Sequence, residues 1–450
     1  MRFVPTALVA ATLVAAIVVL PAQASHAQVT TTPGLSPSLT TGGGAAPSGP
    51  DAGSSLVSSG LLNGLSQLSI GDISRFVGAN STAVTDLLAA PPAAANVAVW
   101  WDRLDDVRQS ALVQAAPQLV GNLEGVPFIV RDRANRTLLG QSIREAQEAA
   151  DSGTTSPNGD PKQVLEMLRS VSSALEGEPK QPKRSLLALD TVYPGRAAVV
   201  VGDLSTADYV SVLVPGMYFS VKDQLVDWTA TAQTLYTAER AWQDYFRGGA
   251  RSERPDEGIA TVAWIGYHTP ELGTVGSERQ AMEGARFLEQ ALSGIRSARP
   301  GHEPYVSVLG HSYGSTAALI TLRSGQVSVD ALALMGTPGS ETTQSVKDLD
   351  VANGNVWVGG ALLDPVVGTG FFGTDPGSAA FGARSFDVEG GEDPLSNTVL
   401  DGSFGHNEYF KQNSRSLRNL ALIALGRGEL AAETPSFTSI GPVRLGGITR

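Results

Sequence analysis

The chain has 450 residues, of which 42% are hydrophobic, and a formal net charge of −12 at pH 7. This length and hydrophobic content predict two folded units with a sizeable core. A nucleic-acid partner requires a basic surface, and no run of Lys or Arg occurs, so the composition excludes a nucleic-acid-binding protein. The sequence has no cysteine, which excludes disulfides, a lipid-modified N-terminal cysteine and thiol catalysis.

Residues 1–27 have the order of a secretory signal peptide. Arg2 is followed by an apolar run from Ala7 to Leu20 and then by small residues up to Ala27. A spanning helix needs about 20 apolar residues. The shorter run therefore favours a cleaved signal over a retained membrane anchor. We expect a secreted or cell-envelope protein whose only membrane association would be through an uncleaved signal segment.

Residues 28–60 are rich in Thr, Ser, Pro and Gly and predict a disordered linker. Residues 61–184 predict a helical N-terminal region, with apolar side chains at three-to-four spacing after Trp100 and again after Pro161. The charged cluster at residues 131–136 has two interpretations: a solvated helix face, which is the commoner case, or a docking or substrate-lining surface. The whole region, attached ahead of the first strand, is a candidate cap for an active site.

From residue 185 to 425, apolar β-rich runs alternate with helical stretches. The predicted strands are 185–190, 196–202, 209–214, 259–267, 305–309, 329–335, 355–363 and 383–388. This alternation predicts an α/β domain with a mostly parallel sheet and helices on both faces. In such sheets the chemistry gathers at the carboxyl ends of the strands. One predicted helix, 277–296, has a stripe that includes Met282 and Leu288. Residues 426–450 predict a loose C-terminal tail.

Residues 310–314 read Gly-His-Ser-Tyr-Gly, between a predicted strand and a predicted helix. The pattern Gly-x-Ser-x-Gly at a strand-to-helix turn is a nucleophile elbow, which pushes the serine hydroxyl into the open. The pentapeptide alone is weak evidence in a chain with 50 glycines. Its place between strand and helix makes Ser312 the candidate nucleophile.

A serine nucleophile needs a base and an orienting carboxylate. At an elbow of this kind the partners follow in the chain order Ser, Asp or Glu, His. Only His406 follows Ser312, because His26 lies in the leader, His311 belongs to the elbow, and His268 and His302 precede the serine. His406 is therefore the predicted base.

The orienting acid is predicted at Asp364, which follows the strand 355–363. Asp375, Asp387 and Asp401 are competitors, and an aspartate before proline is also a common turn starter.

An oxyanion hole is predicted from two backbone N–H groups. One is that of Tyr313, directly after the nucleophile. The other is that of Met217, in the Pro-Gly turn that follows the strand 209–214. Pro-Gly is also an ordinary turn.

Several motifs together resemble a largely actinobacterial group of α/β-hydrolases of uncharacterised function, often exported, with a helical region ahead of the hydrolase domain. The motifs include Trp-Trp at 100–101, Gly-Asn-Leu-Glu-Gly-Val-Pro at 121–127, Arg-Asp-Arg-Ala-Asn-Arg at 131–136, Gly-His-Ser-Tyr-Gly-Ser at 310–315, Gly-Thr-Pro-Gly at 336–339 and Gly-His at 405–406. The resemblance spans roughly residues 95–425. It implies an α/β-hydrolase fold with a triad on Ser312, Asp364 and His406. His268 stands where an acidic residue is more usual, so we expect an altered wall of the site.

We therefore expect an exported serine hydrolase that cleaves carboxylic esters or amides through an acyl-enzyme. The expected partner is a small-molecule or lipid ester, and no metal or organic cofactor is required, since no Gly-rich phosphate loop or metal-ligand pair is present. Two alternatives remain: acyl transfer to a cell-envelope acceptor, or a partner-binding module on an inactive hydrolase scaffold.

Overall fold

A computed structural model describes residues 60–248 and 257–431. The predicted signal peptide, nearly all of the linker and most of the C-terminal tail lie outside the described residues. The start of the tail is described: Gly428–Leu430 form a short 3-10 helix, and Ala431 is buried. This part of the tail packs onto the domain instead of lying loose. Within the described ranges, no helix combines the length and apolarity needed to cross a membrane.

The N-terminal region is helical, as predicted. After helical residues 60–67, its helices are α1 (Ile70–Ala79), α2 (Ser81–Ala89), α3 (Ala94–Asp102), α4 (Asp106–Ala115), α5 (Pro117–Asn122), α6 (Phe128–Ser152) and α7 (Pro161–Ala174). Their apolar faces enclose a core of their own around Trp101 and Leu112. α7 begins where the Asp160 side chain accepts hydrogen bonds from the first free N–H groups. Its buried stripe then joins the main core.

An eight-stranded sheet forms the centre of the molecule, in the order β1-β2-β4-β3-β5-β6-β7-β8. The strands are β1 (Arg184–Asp190), β2 (Arg196–Gly202), β3 (Ala207–Val214), β4 (Gly258–Ile265), β5 (Tyr305–His311), β6 (Ala331–Met335), β7 (Val356–Gly359) and β8 (Arg384–Ser385). β2 runs antiparallel to β1 and β4, and the pairs from β4 to β8 are parallel. The predicted mostly parallel sheet is confirmed. A separate two-stranded ladder pairs β9 (Gly391–Glu392) with β10 (Val399–Leu400).

Helices cover both faces of this sheet, which is why its strands are apolar without alternation. The helices are α8 (Val221–Phe246), α9 (Arg279–Ser297), α10 (Tyr313–Arg323) and α11 (Arg415–Ala424). α8 and α11 share one buried cluster, while α9 and α10 share the other. The buried stripe of α9 includes Leu288 and Leu292, but Met282 is 52% exposed. The prediction for Met282 was wrong because Ala281, one residue earlier, takes the inward position.

The helical region is joined to the outer edge of β1 by side chains. The Asn122 amide pairs with Leu189 like a neighbouring strand: its Oδ1 accepts from the Leu189 N–H at 2.8 Å and its Nδ2 donates to the Leu189 carbonyl at 3.0 Å. At Leu186, the N–H donates to Asp132 at 2.7 Å and the carbonyl accepts from Asn135 at 3.1 Å. These side chains satisfy the backbone groups that an edge strand leaves unpaired.

Arg131 completes this set of contacts, which we call the β1 clamp (Asn122, Arg131, Asp132 and Asn135). Its guanidinium is buried, forms an ion pair with Glu124 and donates to the Leu187 carbonyl at 2.9 Å. The favoured interpretation of residues 131–136 as a solvated helix face was therefore wrong for its key members. The cluster docks against this chain's own sheet.

Candidate active site

Ser312 lies in a tight turn between the end of β5 and the start of α10. Its backbone has φ 54° and ψ −131°, a conformation that non-glycine residues rarely adopt. Such strain costs on the order of 1–3 kcal/mol and is typical of functional sites. The glycine of the motif at position 314 is required because a Cβ there would lie 2.4 Å from the Pro215 carbonyl oxygen. The observed turn is the elbow geometry that the pentapeptide predicts.

The structure brings the three predicted residues into one hydrogen-bonded chain. The Ser312 Oγ lies 2.7 Å from His406 Nε2, and His406 Nδ1 lies 2.9 Å from Asp364 Oδ1. Because an ionised carboxylate only accepts, Nδ1 carries the proton and Nε2 accepts from the serine hydroxyl. This arrangement lets Ser312 lose its proton to the imidazole.

The three competing aspartates lie outside this chain of hydrogen bonds. Asp375 accepts from the Gly377 N–H, Asp387 faces Arg415 and Asp401 faces Lys411. Asp364 itself does not end a strand as expected, because β7 stops at Gly359 and five residues of loop carry the carboxylate to His406.

Both oxygens of Asp364 are held by donors. Oδ1 also accepts from the Val366 N–H at 2.9 Å, and Oδ2 accepts from the Tyr409 hydroxyl at 2.6 Å. Burial alone would raise the pKa of Asp364, but the hydrogen bond and charge of His406, with the Tyr409 and Val366 donors, bring that pKa below its usual range. The carboxylate therefore stays ionised beside the imidazole.

Tyr409 is a site residue that the sequence analysis did not identify. Its hydroxyl donates to Asp364 and accepts from the Ala361 N–H at 2.9 Å. Burial and the neighbouring carboxylate raise its pKa well above the usual range, so it remains a donor. The available signal was its position three residues after His406, in the loop that carries the imidazole.

His311 is a second residue whose role the sequence did not reveal. Its Nε2 lies 2.6 Å from the His406 carbonyl oxygen, so this nitrogen must carry the proton and donate it. Burial, with a smaller contribution from the charge of His406, lowers the pKa of His311 to about 3. A neutral His311 thus fixes the backbone of the loop that presents His406.

The two predicted oxyanion donors belong to adjoining turns. A Cβ added at Gly216 would lie 3.0 Å from the Ser312 Oγ, which places the turn before Met217 directly beside the candidate nucleophile. Among the described residues, neither the Tyr313 N–H nor the Met217 N–H donates a hydrogen bond. The turn is held in place because Tyr218 N–H donates to the Pro270 carbonyl at 3.0 Å and Thr269 Oγ1 donates to the Phe219 carbonyl at 2.8 Å.

A cavity of about 630 Å³ opens at Ser312. Its walls come from residues 216–219, from α8 between Gln224 and Thr231, from residues 365–366 and from residues 406–410. The helical N-terminal region contributes none of the lining residues, so the expected cap over the site is not observed in the described chain.

A second depression, of about 770 Å³, lies around His268. His268 faces Glu283 at 3.7 Å there and does not line the cavity at Ser312. His268 is therefore not among the residues that form the wall of this cavity, where an altered wall was expected. Across the described ranges, no cluster of three or more His, Asp or Glu side chains has a metal-binding arrangement.

Comparison with known proteins identifies the family of this chain. A family model described as alpha/beta hydrolase matches residues 190–373. An uncharacterised protein of Mycobacterium bovis is 30% identical over 219 residues, which cover 46% of this chain and 76% of the relative. The chain belongs to an actinobacterial α/β-hydrolase family of unknown function. A longer uncharacterised protein of Mycobacterium tuberculosis is 27% identical over 380 residues, which cover 74% of this chain. The chain spans only 56% of the length of that relative.

Solved structures of esterases have a related arrangement at low identity. An S-formylglutathione hydrolase from Agrobacterium tumefaciens is 8% identical with a TM-score of 0.32, covering 57% of this chain and 98% of that one. A hyperthermophilic esterase from the archaeon Pyrobaculum calidifontis is 12% identical with a TM-score of 0.35, covering 66% and 98%. At these scores the likeness carries no argument about substrate.

Proposed function

We propose that the chain is a serine hydrolase that cleaves carboxylic esters, with amides as a second substrate class. The observation that carries this proposal is the unbroken chain of hydrogen bonds from Ser312 through His406 to Asp364, at the mouth of a cavity. The strained backbone at Ser312 also supports the proposal, because such strain is typical of functional residues. Membership of the α/β-hydrolase family supports the same reaction class.

In the proposed acylation, His406 Nε2 takes the proton of Ser312 while Oγ attacks the carbonyl carbon of the ester. Asp364 stabilises the imidazolium and keeps the proton on Nδ1. The free N–H groups of Tyr313 and Met217 stabilise the oxyanion of the tetrahedral intermediate. When that intermediate collapses, the carbon–oxygen bond to the alcohol breaks and His406 returns the proton to the departing oxygen.

Deacylation repeats these steps with water as the nucleophile. His406 takes a proton from water, the hydroxide oxygen attacks the acyl-enzyme, and Ser312 leaves with the proton that His406 returns. Replacing water by an envelope alcohol would give acyl transfer, so the two reactions differ only in the acceptor. Export stays a prediction based on residues 1–27, which lie outside the described residues.

Labelling with a fluorophosphonate probe tests the nucleophile. We expect native protein to label, and Ser312→Ala to abolish both labelling and hydrolysis of p-nitrophenyl butyrate, with a fall in kcat of at least about a thousandfold. His406→Ala should lower both to a similar extent. Ser324→Ala is a matched control, because Ser324 is an exposed serine at the far end of the same helix.

Failure of the native protein to label, or labelling that persists in Ser312→Ala, would refute the proposal. Added glycerol or a sugar alcohol in the same assay separates hydrolysis from transfer. Under the proposal the free acid remains the main product.

A further inference from the structure

Large apolar side chains are exposed in two loops that also contribute residues to the lining of the cavity. Leu363 is 80% exposed, Leu362 is 64% exposed and Phe404 is 56% exposed, and Val367 is also exposed. We call these four residues the apolar rim. Leu363 directly precedes Asp364, and Phe404 lies two residues before His406. The rim is therefore built from the same two loops that carry the base and its carboxylate.

The two loops are joined, so these side chains belong to one surface. Leu362 and Phe404 form a parallel β-bridge, and the Gly405 N–H donates to the Leu362 carbonyl at 2.8 Å. On the other side, Val367 packs over Gly360, where an added Cβ would lie 2.9 Å from its Cγ1. The rim has a defined backbone rather than a loose one.

Leu363 adopts a backbone conformation that does not suit its side chain. Its φ is 63°, in the left-handed region that leucine avoids. The result is a leucine directed into water. Neither the turn nor the core of the domain benefits from an apolar side chain there, since a glycine or asparagine would adopt this backbone more readily.

Three of the four rim residues lie in a segment with almost no charge, in a chain whose net charge is −12. Between Asp350 and Asp375 the only charged residue is Asp364, and its carboxylate is buried in the hydrogen-bonded chain. The fourth rim residue, Phe404, lies in the second loop, where its N–H donates to Glu408 at 3.2 Å and Glu408 pairs with Lys411 at 3.7 Å. The rim is thus mainly apolar, and the two charged side chains beside it, Glu408 and Lys411, are of opposite sign. It suits an apolar partner without net charge better than an anionic one.

The cavity behind the rim has an aromatic wall. The Phe219 and Trp228 rings lie 4.9 Å apart, and the Trp228 and Phe410 rings lie 5.7 Å apart. All three side chains line the cavity. This wall is suited to an aliphatic acyl chain, which gains by leaving water.

We propose that the apolar rim docks onto an uncharged lipid surface, from which an ester with a long acyl chain enters the cavity. This inference rests on the proposed function and names its substrate class: water-insoluble lipid esters presented in an aggregate. A lipid surface is the occupant that the apolar rim and the aromatic wall favour together, because it both covers the rim and supplies an acyl chain to the wall.

The test uses the double variant Leu363→Asn/Phe404→Ser. Asparagine tolerates the left-handed backbone, so the turn is preserved while the apolar surface is lost. The control is Val107→Ser/Ile129→Ser, which removes two side chains of similar exposure, 64% and 66%, from the helical region. Flotation with phosphatidylcholine vesicles measures docking without any requirement for activity.

We expect native protein and the control to float with the vesicles, and the rim variant to bind at least about tenfold less. On an emulsified long-chain ester the rim variant should lose at least about tenfold in rate. On soluble p-nitrophenyl acetate it should stay within about twofold of native, which also shows that it is folded.

Three outcomes overturn the proposal: native protein that does not float with phosphatidylcholine, native protein that floats only with phosphatidylserine vesicles, or a rim variant that floats like native. A native dimer that becomes monomeric in the rim variant also overturns it, because a second copy would then be the occupant. If the proteins float as expected but no ester is cleaved, the proposed hydrolase function is refuted, whereas the proposed docking surface is supported.

Discussion

Replacing Tyr409 by phenylalanine removes one oxygen atom from the candidate site and leaves the triad itself intact. In the native chain this hydroxyl connects Asp364 Oδ2 at 2.6 Å with the Ala361 N–H at 2.9 Å. The phenylalanine ring fits the same space. The variant leaves a buried carboxylate oxygen and a buried N–H without their partner.

The size of the effect follows from the loss of a hydrogen bond to a charged group, about 1.5–3 kcal/mol. If that energy serves to orient the carboxylate and hence His406, kcat/KM falls about 10- to 100-fold at neutral pH, since each 1.4 kcal/mol is about tenfold. KM for a soluble ester should change little, because the hydroxyl acts on Asp364 and not on the substrate. Tyr409 is thus a positioning residue.

The pH dependence gives a readout that a purely structural role would not produce. The Tyr409 hydroxyl helps to hold the pKa of Asp364 below its usual range. A carboxyl with a lowered folded pKa stabilises the fold above its unfolded pKa, and this stabilisation is lost as the pH falls through the folded value. Without the hydroxyl the pKa of Asp364 rises, so the acid unfolding transition moves to higher pH.

The measurement is a pH–rate profile with p-nitrophenyl butyrate, accompanied by thermal unfolding at each pH. Tyr305→Phe is the matched control. Tyr305 is the first residue of β5, at the opposite end of the strand from Ser312, and its hydroxyl accepts from Asn355. A Tyr409→Phe variant with native kcat/KM and an unshifted acid unfolding transition would refute this assignment of roles.

Two further predictions concern stability. Burial raises the pKa of Glu239 to about 8, against the hydrogen bond from Ser211 that lowers it. The folded state therefore keeps a proton that the unfolded chain releases, and stability falls by up to about 5 kcal/mol as the pH rises from about 4.5 to about 8. Glu239→Gln removes this loss. The melting temperature of the variant should therefore rise relative to that of the native protein between pH 5 and pH 8. Melting temperatures that change in parallel with pH would contradict the prediction. Asn122→Ala removes two hydrogen bonds to Leu189 and should cost about 2 kcal/mol, with faster hydrogen exchange at the Leu189 amide; unchanged exchange would contradict it.

The sheet could be predicted from the sequence because each buried parallel strand appears as a continuous apolar run, such as Val306 to Leu309 in β5. The order Ser312, Asp364, His406 could be predicted because chain order and the short list of histidines leave few choices. These features depend on residues close in sequence or on elimination.

Tyr409 and His311 could not be assigned in the same way. Each acts through hydrogen bonds to a segment distant in sequence that only the folded chain brings close, and neither belongs to a periodic pattern. The β1 clamp was missed for a related reason: Arg131 and Asp132 look like solvated charges until the backbone of β1 lies beside them. The pattern of charges in a sequence does not show which charged side chains form hydrogen bonds with the backbone of a distant strand.

The β1 clamp also bears on how the chain can be divided. A fragment that began at the first strand would keep every triad residue but would expose the outer row of β1 amides and carbonyls, a template on which another chain can add a strand. We expect such a fragment to self-associate through β1 even though it keeps all three residues of the candidate site. The segment from Asn122 to Asn135 therefore covers an edge of the α/β domain, although the helical sequence in which it lies would assign it to a separate domain.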